Sequence, residues 1–227
     1  RMSRSMHESI AADYLARFLP RVQALRLGAD LTYDADLGSL VSADQLATVQ
    51  RHVEDARAKG ATVLVGGRHR PDLGPWFYEP TVLDGVTSEM AVCREETFGP
   101  LVSIYRVRSD DEAVRVANDT AYGLNASIWT RDLARGRALA ARIAAGTVNV
   151  NEGYAAAYAS TAAPMGGMKD SGLGRRHGAE GIRKYTESQT VAVQRGLGLG
   201  VPEPLTAARF TAVMTGFLRG MKGLGRP

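Results

Sequence analysis

The segment between Pro100 and Asn151 constrains the fold most strongly, because strand-like and helix-like patterns alternate along it at short spacing. The stretches Leu101 to Val107, Leu124 to Thr130 and Thr147 to Val150 have the composition of buried strands. Parallel strands need a long crossover connection, which is most often a helix. This β-α-β-α-β order predicts an α/β fold with a doubly wound parallel sheet.

Capping residues mark where the two connecting helices begin. Ser109, with Glu112 three residues later, predicts a helix that runs to Asn118. Thr130 is expected to cap the second helix, which would continue to Ala145. Both helices are short enough to return the chain directly to the sheet.

Hydrophobic spacing predicts further elements on both sides of this segment. Helices are expected over 7–25, from a capping Ser42, with Gln45 three residues later, to Gly60, over 175–184 and around 210–218. Strands are expected over 61–65 and 185–194. A long loop is expected over 66–78. The strand at 185–194 lies outside the β-α-β run, so it needs a partner edge from elsewhere.

The positive charge of the chain is concentrated in its tail. The 227 residues carry 28 bases and 24 acids, a net charge of +4. From Arg195 onwards there are five bases and one acid, which accounts for the whole excess. A neutral body lacks the basic surface that nucleic acids require. No apolar run approaches the about 18 residues of a membrane helix, so we expect neither nucleic acid nor membrane as a partner.

Cys93 is the single cysteine, so neither an internal disulfide nor a multi-cysteine zinc site can form. The four histidines show no pair at metal-ligand spacing, and no metal is expected. Without disulfides, a reducing cytoplasm is the expected location. Because Met90, Ala91 and Val92 precede Cys93, a buried small apolar residue is favoured over a nucleophile.

The third strand of the β-α-β run leads directly into Asn151 and a loop of small residues over 153–174. Ligands of parallel sheets bind beyond the carboxyl ends of the strands, so this loop is the predicted site. The segment from Glu95 to Pro100 is also consistent with an ordinary solvated turn. The residues alone leave the reaction open.

Four segments, in this order, resemble motifs from the C-terminal half of the aldehyde dehydrogenase family. Residues 93–100 resemble Glu-Glu-x-Phe-Gly-Pro, 118–130 resemble Ala-Asn-x-x-x-Tyr-Gly-Leu, 146–151 resemble Gly-x-Val-x-Val-Asn, and 164–174 resemble Pro-Phe-Gly-Gly-x-Lys-x-Ser-Gly-x-Gly. The motifs at 151–153 and 171–175 and the basic tail are most similar to the succinate-semialdehyde dehydrogenase branch.

The resemblance implies oxidation of a small aldehyde to its acid through a cysteine thioester, with NAD or NADP as cofactor. It implies that Glu96 binds the nicotinamide ribose hydroxyls and that Phe98 bounds the nicotinamide. Gln45 matches a position near the adenine ribose, and Asn151 matches one at the floor of the active site.

The same resemblance implies that the loop containing Tyr154 and Met165 lines the aldehyde tunnel. Met165 stands where the family usually has phenylalanine, which would soften the tunnel wall. The late strand is implied to pair across subunits of a homo-oligomer, a dimer or a tetramer. The amphipathic tail helix is then expected to pack on the protein body or on a neighbouring subunit, with a membrane surface as the competing expectation.

The family's nucleophilic cysteine, general-base glutamate and cofactor-binding domain match nothing in this chain and are expected upstream of Arg1. We therefore expect a fragment that is inactive alone. Its predicted parts are a truncated catalytic domain over 1–184, an oligomerisation strand over 185–195 and a basic amphipathic tail over 196–227. Two alternatives stay open: a non-catalytic α/β binding or assembly domain, and a hydrolase that uses Cys93.

Overall fold

The computed structural model describes residues 3–29, 32, 34–195 and 200–224. The strands are β1 (Ser3–His7), β2 (Thr62–Val65), β3 (Thr81–Asp84), β4 (Leu101–Val107), β5 (Tyr122–Gly123), β6 (Asn125–Ile128), β7 (Thr147–Val150), β8 (Met165–Gly166), β9 (Met168–Lys169) and β10 (Arg175–Arg176). The helices are α1 (Glu8–Gln23), α2 (Ala43–Ala58), α3 (Ala91–Arg94), α4 (Asp110–Asn118), α5 (Leu133–Ala140), α6 (Ala155–Ala159), α7 (Gly178–Arg183) and α8 (Ala207–Gly223).

The chain divides into two units, Arg1–Tyr185 and Thr186–Pro227. The first unit contains a four-stranded sheet in the order β1-β4-β3-β2. Strands β1, β4 and β3 are parallel, and β2 pairs with β3 in the antiparallel direction. The predicted α/β class is confirmed, with a mixed sheet.

Strands β6 and β7 pair in parallel, from Asn125 opposite Thr147 to Ile128 opposite Val150. They form a sheet of their own in the described part of the chain, so the prediction that β4, β6 and β7 share one parallel sheet is wrong. Neither β6 nor β7 can pair with β4, because both edges of β4 are already hydrogen-bonded, to β1 and to β3. An edge that is already bonded cannot accept another strand.

Alternating residues of the four-stranded sheet enter two separate cores. Leu83 and Leu101 pack with α2 residues such as Val49 and with Cys93, which is 5% exposed. Val82 and Val102 pack in the other cluster, which contains α1 residues. Because successive side chains of a strand point to opposite faces, helices cover this sheet on both sides.

Two of the three predicted helix caps are confirmed. The hydroxyl of Ser42 accepts from the backbone N–H of Gln45, and that of Ser109 accepts from Glu112. The prediction that Thr130 caps the next helix is wrong, because Asp132 caps α5 and the helix ends at Ala140. The backbone N–H and carbonyl of Thr130 are instead bonded to a side chain at the end of β7.

Sequence patterns missed β1 and β3, two of the three parallel strands of the main sheet. Residues 175–184 form β10 followed by the short helix α7 instead of one helix. In the second unit, α8 is confirmed, and Thr206 is its cap. Residues 187–195 have no regular secondary structure, so the strand predicted there is absent from the single chain. An extended segment needs a second edge to bond with.

Candidate functional site

The loop from Glu95 to Gly99, between α3 and β4, is held by its backbone to helix α2. The side-chain Nε2 of Gln45 donates to the carbonyl oxygens of Thr97 at 2.5 Å and Phe98 at 3.1 Å. Gln45 thus supports this loop, whereas the family resemblance implied an adenine ribose contact for it. That contact stays a prediction.

Alternate side chains of the same loop are also bonded to α2. His52 is completely buried, with Nδ1 at 2.9 Å from Thr97 Oγ1 and Nε2 at 3.2 Å from Glu95 Oε2. Arg51 Nη2 donates to the same oxygen of Glu95 at 3.0 Å. Hydrogen bonds from Arg51 and then from His52 hold the pKa of Glu95 below its ordinary value. Glu95 is therefore a carboxylate at neutral pH.

The side chains between these anchors face outward. Glu96 is exposed, and Phe98 is 76% exposed with a left-handed backbone at φ 49°. Position 99 has no room for a side chain, because a Cβ there would overlap the side chain of Val49 on α2. A non-glycine residue in the left-handed region persists only where its surroundings enforce it. The loop thus presents a carboxylate and an aromatic ring on a fixed backbone.

Asn151, at the end of β7, ties two strand ends together. Its Oδ1 accepts from the backbone N–H of Thr130 and its Nδ2 donates to the Thr130 carbonyl, both at 2.8 Å. Its own backbone is left-handed, at φ 59°. Asn151 lines an open depression beyond the carboxyl ends of β6 and β7, together with Ile10, Trp129, Thr130, Arg131 and Leu133. Its side chain therefore shapes the turn.

The carbonyl of Gly153 is the anchor of the loop that follows. It accepts from Asn125 Nδ2 at 3.1 Å, Ser127 Oγ at 2.8 Å and Asn149 Nδ2 at 2.9 Å. Three donors on one oxygen fix the direction in which the chain leaves β7. Tyr154, the next residue, is exposed and is the N-cap of α6.

The glycine-rich run packs by backbone against its neighbours. A Cβ on Gly166 would overlap the carbonyl of Gly174, and one on Gly167 would lie 2.7 Å from the carbonyl of Ser171. Met165 lies half-buried in β8, paired with Arg176 of β10. Glycine is therefore needed at positions 166 and 167, where the backbone of this run lies against the backbone of Ser171 and Gly174.

Lys169 of the same run caps helix α4. Its Nζ donates to the carbonyls of Asn118 at 2.8 Å and Thr120 at 3.0 Å. A cation at a helix C-terminus is favourable because the unpaired carbonyls there carry partial negative charge. The lysine of this motif therefore stabilises the scaffold.

The structure thus bonds the Gln45 side chain to the loop that carries Glu96 and Phe98. Asn151, Tyr154 and Met165 lie on the separate segment from the end of β7 to β8. Sequence reasoning missed His52 and Thr97 as parts of the first group. A signal was present, since Gln45 and His52 are seven residues apart and share one face of α2.

In the described ranges, no helix is long and apolar enough to cross a membrane. Within the same ranges, histidine, cysteine and carboxylate side chains form no group of three or more that could bind a metal.

Comparison with known proteins identifies the family. Residues 3–191 match the sequence pattern described as "Aldehyde dehydrogenase family". The chain belongs to the aldehyde dehydrogenase family. A relative from Mycolicibacterium smegmatis, named "Putative succinate-semialdehyde dehydrogenase [NADP(+)]", is 56% identical over 219 residues, which are 96% of this chain and 42% of that protein.

Two solved aldehyde dehydrogenases share the fold. The Mycobacterium tuberculosis aldehyde dehydrogenase complexed with NAD+ has a TM-score of 0.79 and 30% identity, over 88% of this chain and 41% of that one. Succinate-semialdehyde dehydrogenase from Burkholderia pseudomallei has a TM-score of 0.74 and 39% identity, over 80% and 37%. The chain therefore spans less than half the length of the aldehyde dehydrogenases it matches.

Proposed function

We propose that this chain is the C-terminal catalytic part of an NADP-dependent succinate-semialdehyde dehydrogenase. The observation that carries the proposal is the loop from Glu95 to Gly99, which presents Glu96 and Phe98 on a backbone bonded to α2. The names of the sequence relatives support the substrate and NADP, and the solved NAD+ complex keeps NAD as the second candidate cofactor.

The exposed residues of the loop fit the nicotinamide end of such a cofactor. The carboxylate oxygens of Glu96 can accept hydrogen bonds from the two adjacent ribose hydroxyls. The Phe98 ring offers a flat apolar wall for a nicotinamide ring. When bound, NADP would accept the hydride that the aldehyde loses on oxidation to the acid. The role of this chain's residues is to orient the ribose and the ring.

The loop after β7 would line the substrate side. We assign Tyr154 and Met165 to the wall of the aldehyde tunnel, and Asn151 to the turn that supports its floor. Cys93 is buried in the core among apolar residues, which argues against its use as a nucleophile. We propose that the nucleophilic cysteine and the general-base glutamate belong to a segment that precedes Arg1 in the native protein.

The decisive experiment compares the native protein with the 227-residue chain. Intact mass and N-terminal peptide mapping of protein from the source cells should reveal a cysteine-bearing peptide ahead of Arg1. The native protein should reduce NADP+ when succinate semialdehyde is supplied, whereas the 227-residue chain should not. NADP+ reduction by the 227-residue chain, abolished by Cys93→Ser, would instead show that Cys93 is the nucleophile and would overturn our proposal.

We also propose a homo-oligomer, a dimer or a tetramer, in the reducing cytoplasm. The segment 187–195 has no regular secondary structure and exposes Val191 and Val193, so a strand of a second subunit could pair with it. Helix α8 exposes Val213, Phe217 and Leu218 on one stripe, and such stripes are normally covered by protein.

A further inference from the structure

We infer that His52 and Thr97 are positioning residues for Glu96, in a relay that sets the direction of its carboxylate toward the cofactor ribose. The inference rests on the proposed function, since it concerns the same cofactor contact. Its structural basis is that the two residues flanking Glu96, Glu95 and Thr97, are both bonded to one buried imidazole.

The chemistry of the partners assigns the protons of this relay. The Glu95 carboxylate can only accept, so Nε2 of His52 must carry a hydrogen and donate to it. When the ring is neutral, Nδ1 is an acceptor and the hydroxyl of Thr97 donates to it, whereas in a protonated ring Nδ1 donates to the hydroxyl oxygen. Arg51 completes the chain by donating to the same Glu95 oxygen. In both forms of the ring, His52 bridges the side chains of Glu95 and Thr97.

This arrangement restrains the backbone on both sides of Glu96. Thr97 is anchored twice, by its hydroxyl to His52 and by its carbonyl to Gln45. Phe98 is held in the left-handed region, which is unfavourable for a side chain with a Cβ. If the Thr97 hydroxyl is removed, the loop can relax toward ordinary backbone angles. The Glu96 carboxylate would then lose its fixed direction.

The variants Thr97→Val and Thr97→Ser separate this role from simple packing. Valine has nearly the shape of threonine but cannot donate to Nδ1, whereas serine keeps the hydroxyl and loses only the methyl group. NADPH is titrated into the native protein and its fluorescence enhancement gives both the dissociation constant and the number of binding sites. Hydrogen exchange of peptides covering 95–99 reports the order of the loop without reference to activity.

We expect Thr97→Val to raise the dissociation constant of NADPH about tenfold, the size of effect that about 1.4 kcal/mol produces. The number of sites should not change, exchange over 95–99 should accelerate, and Thr97→Ser should bind as the parent does. A merely structural role would lower the number of binding sites and leave the dissociation constant of the folded molecules unchanged. That result would overturn the inference.

The double variant with Glu96→Gln shows whether Thr97 acts through Glu96. If it does, Thr97→Val should have little further effect on NADPH binding once Glu96→Gln is present, because coupled residues are not additive. Additive effects would overturn the inference while leaving the cofactor site in place. If Glu96→Gln alone leaves NADPH binding unchanged, the proposed cofactor contact itself fails, and exchange over 95–99 still reports on the relay.

Discussion

Gly146 lies directly against the backbone carbonyl of Gly166, so closely that a Cβ on residue 146 would overlap the oxygen. This contact joins the residue before β7 to the strand β8 of the glycine-rich run. Both partners are backbone, so neither can swing aside as a flexible side chain would. Two segments that are twenty residues apart in sequence are thus packed without side chains between them.

Gly146→Ala should therefore lower the free energy of unfolding by about 1–3 kcal/mol, the usual cost of overpacking, or more. The measurement is a denaturant midpoint for the folded chain. Gly38→Ala is the matched control, since a Cβ at residue 38 meets nothing within 4 Å. Equal midpoints for the two variants would show that β8 does not pack here as described.

Asn151 stabilises its turn by two hydrogen bonds to Thr130 and carries a left-handed backbone. Asn151→Gly removes the bonds but suits the backbone, and should lower the free energy of unfolding by about 1–2 kcal/mol. Asn151→Ala removes the same bonds and adds the left-handed penalty of about 1–2 kcal/mol. Denaturant titrations should rank the parent above the glycine variant and the glycine variant above alanine. If alanine equals glycine, the left-handed geometry carries no cost.

Tyr78 links alkaline pH to stability. It is 3% exposed, and burial raises the pKa of its phenol from 10.0 to about 12. Between these two values the unfolded chain loses the Tyr78 proton while the folded chain keeps it, so stability falls as the pH rises. Below pH 10 the phenol is protonated in both states, and this contribution to folding is fully present.

Tyr78→Phe removes this ionisation, so its stability should decline less steeply than that of the parent between pH 10 and pH 12. Chemical denaturation at a series of pH values gives the two slopes. Other groups also titrate in this range, but they are common to both proteins and cancel in the difference. Parallel slopes would mean that the phenol ionises equally well in the folded state.

Helix α8 tests the proposed assembly. Removal of residues 200–227 from the native protein should reduce the oligomer size measured by light scattering, because it removes the apolar stripe of α8 that we propose packs on a neighbouring subunit. Phe217→Asp, a change within the stripe at a side chain that is 59% exposed, should have the same effect. Ala212→Asp places an equal charge on another face of α8 and should not. An unchanged oligomer after both the deletion and Phe217→Asp would exclude this role for the tail.

Local sequence patterns were sufficient where neighbours in the chain decide the structure. The Ser42 and Ser109 caps, strand β4 and strand β7 follow from spacing and capping chemistry within a few residues. The motifs around Glu96 and Asn151 also pointed correctly to the family that the comparisons identify.

The predictions that were wrong concern elements whose structure depends on residues distant in sequence. Thr130 was predicted to cap a helix, but its backbone N–H and carbonyl are hydrogen-bonded to the side chain of Asn151, twenty-one residues later. Strand β3 is short and buried, so it lacks the alternation that marks a half-exposed strand. The segment over 185–194, expected to be a strand, pairs with no strand in the part of the chain that the structure describes. Each outcome depends on a partner that is distant in sequence.

The sequence by itself determined the α/β class, the main helices and the family motifs, because periodicity, capping and motif spacing are local properties. Only the tertiary structure decided that β1 and β3 take both edges of β4, and that His52 bonds the residues on either side of Glu96. Hydrogen bonds of this kind join residues twenty to one hundred positions apart. Their geometry exists only once the chain has folded.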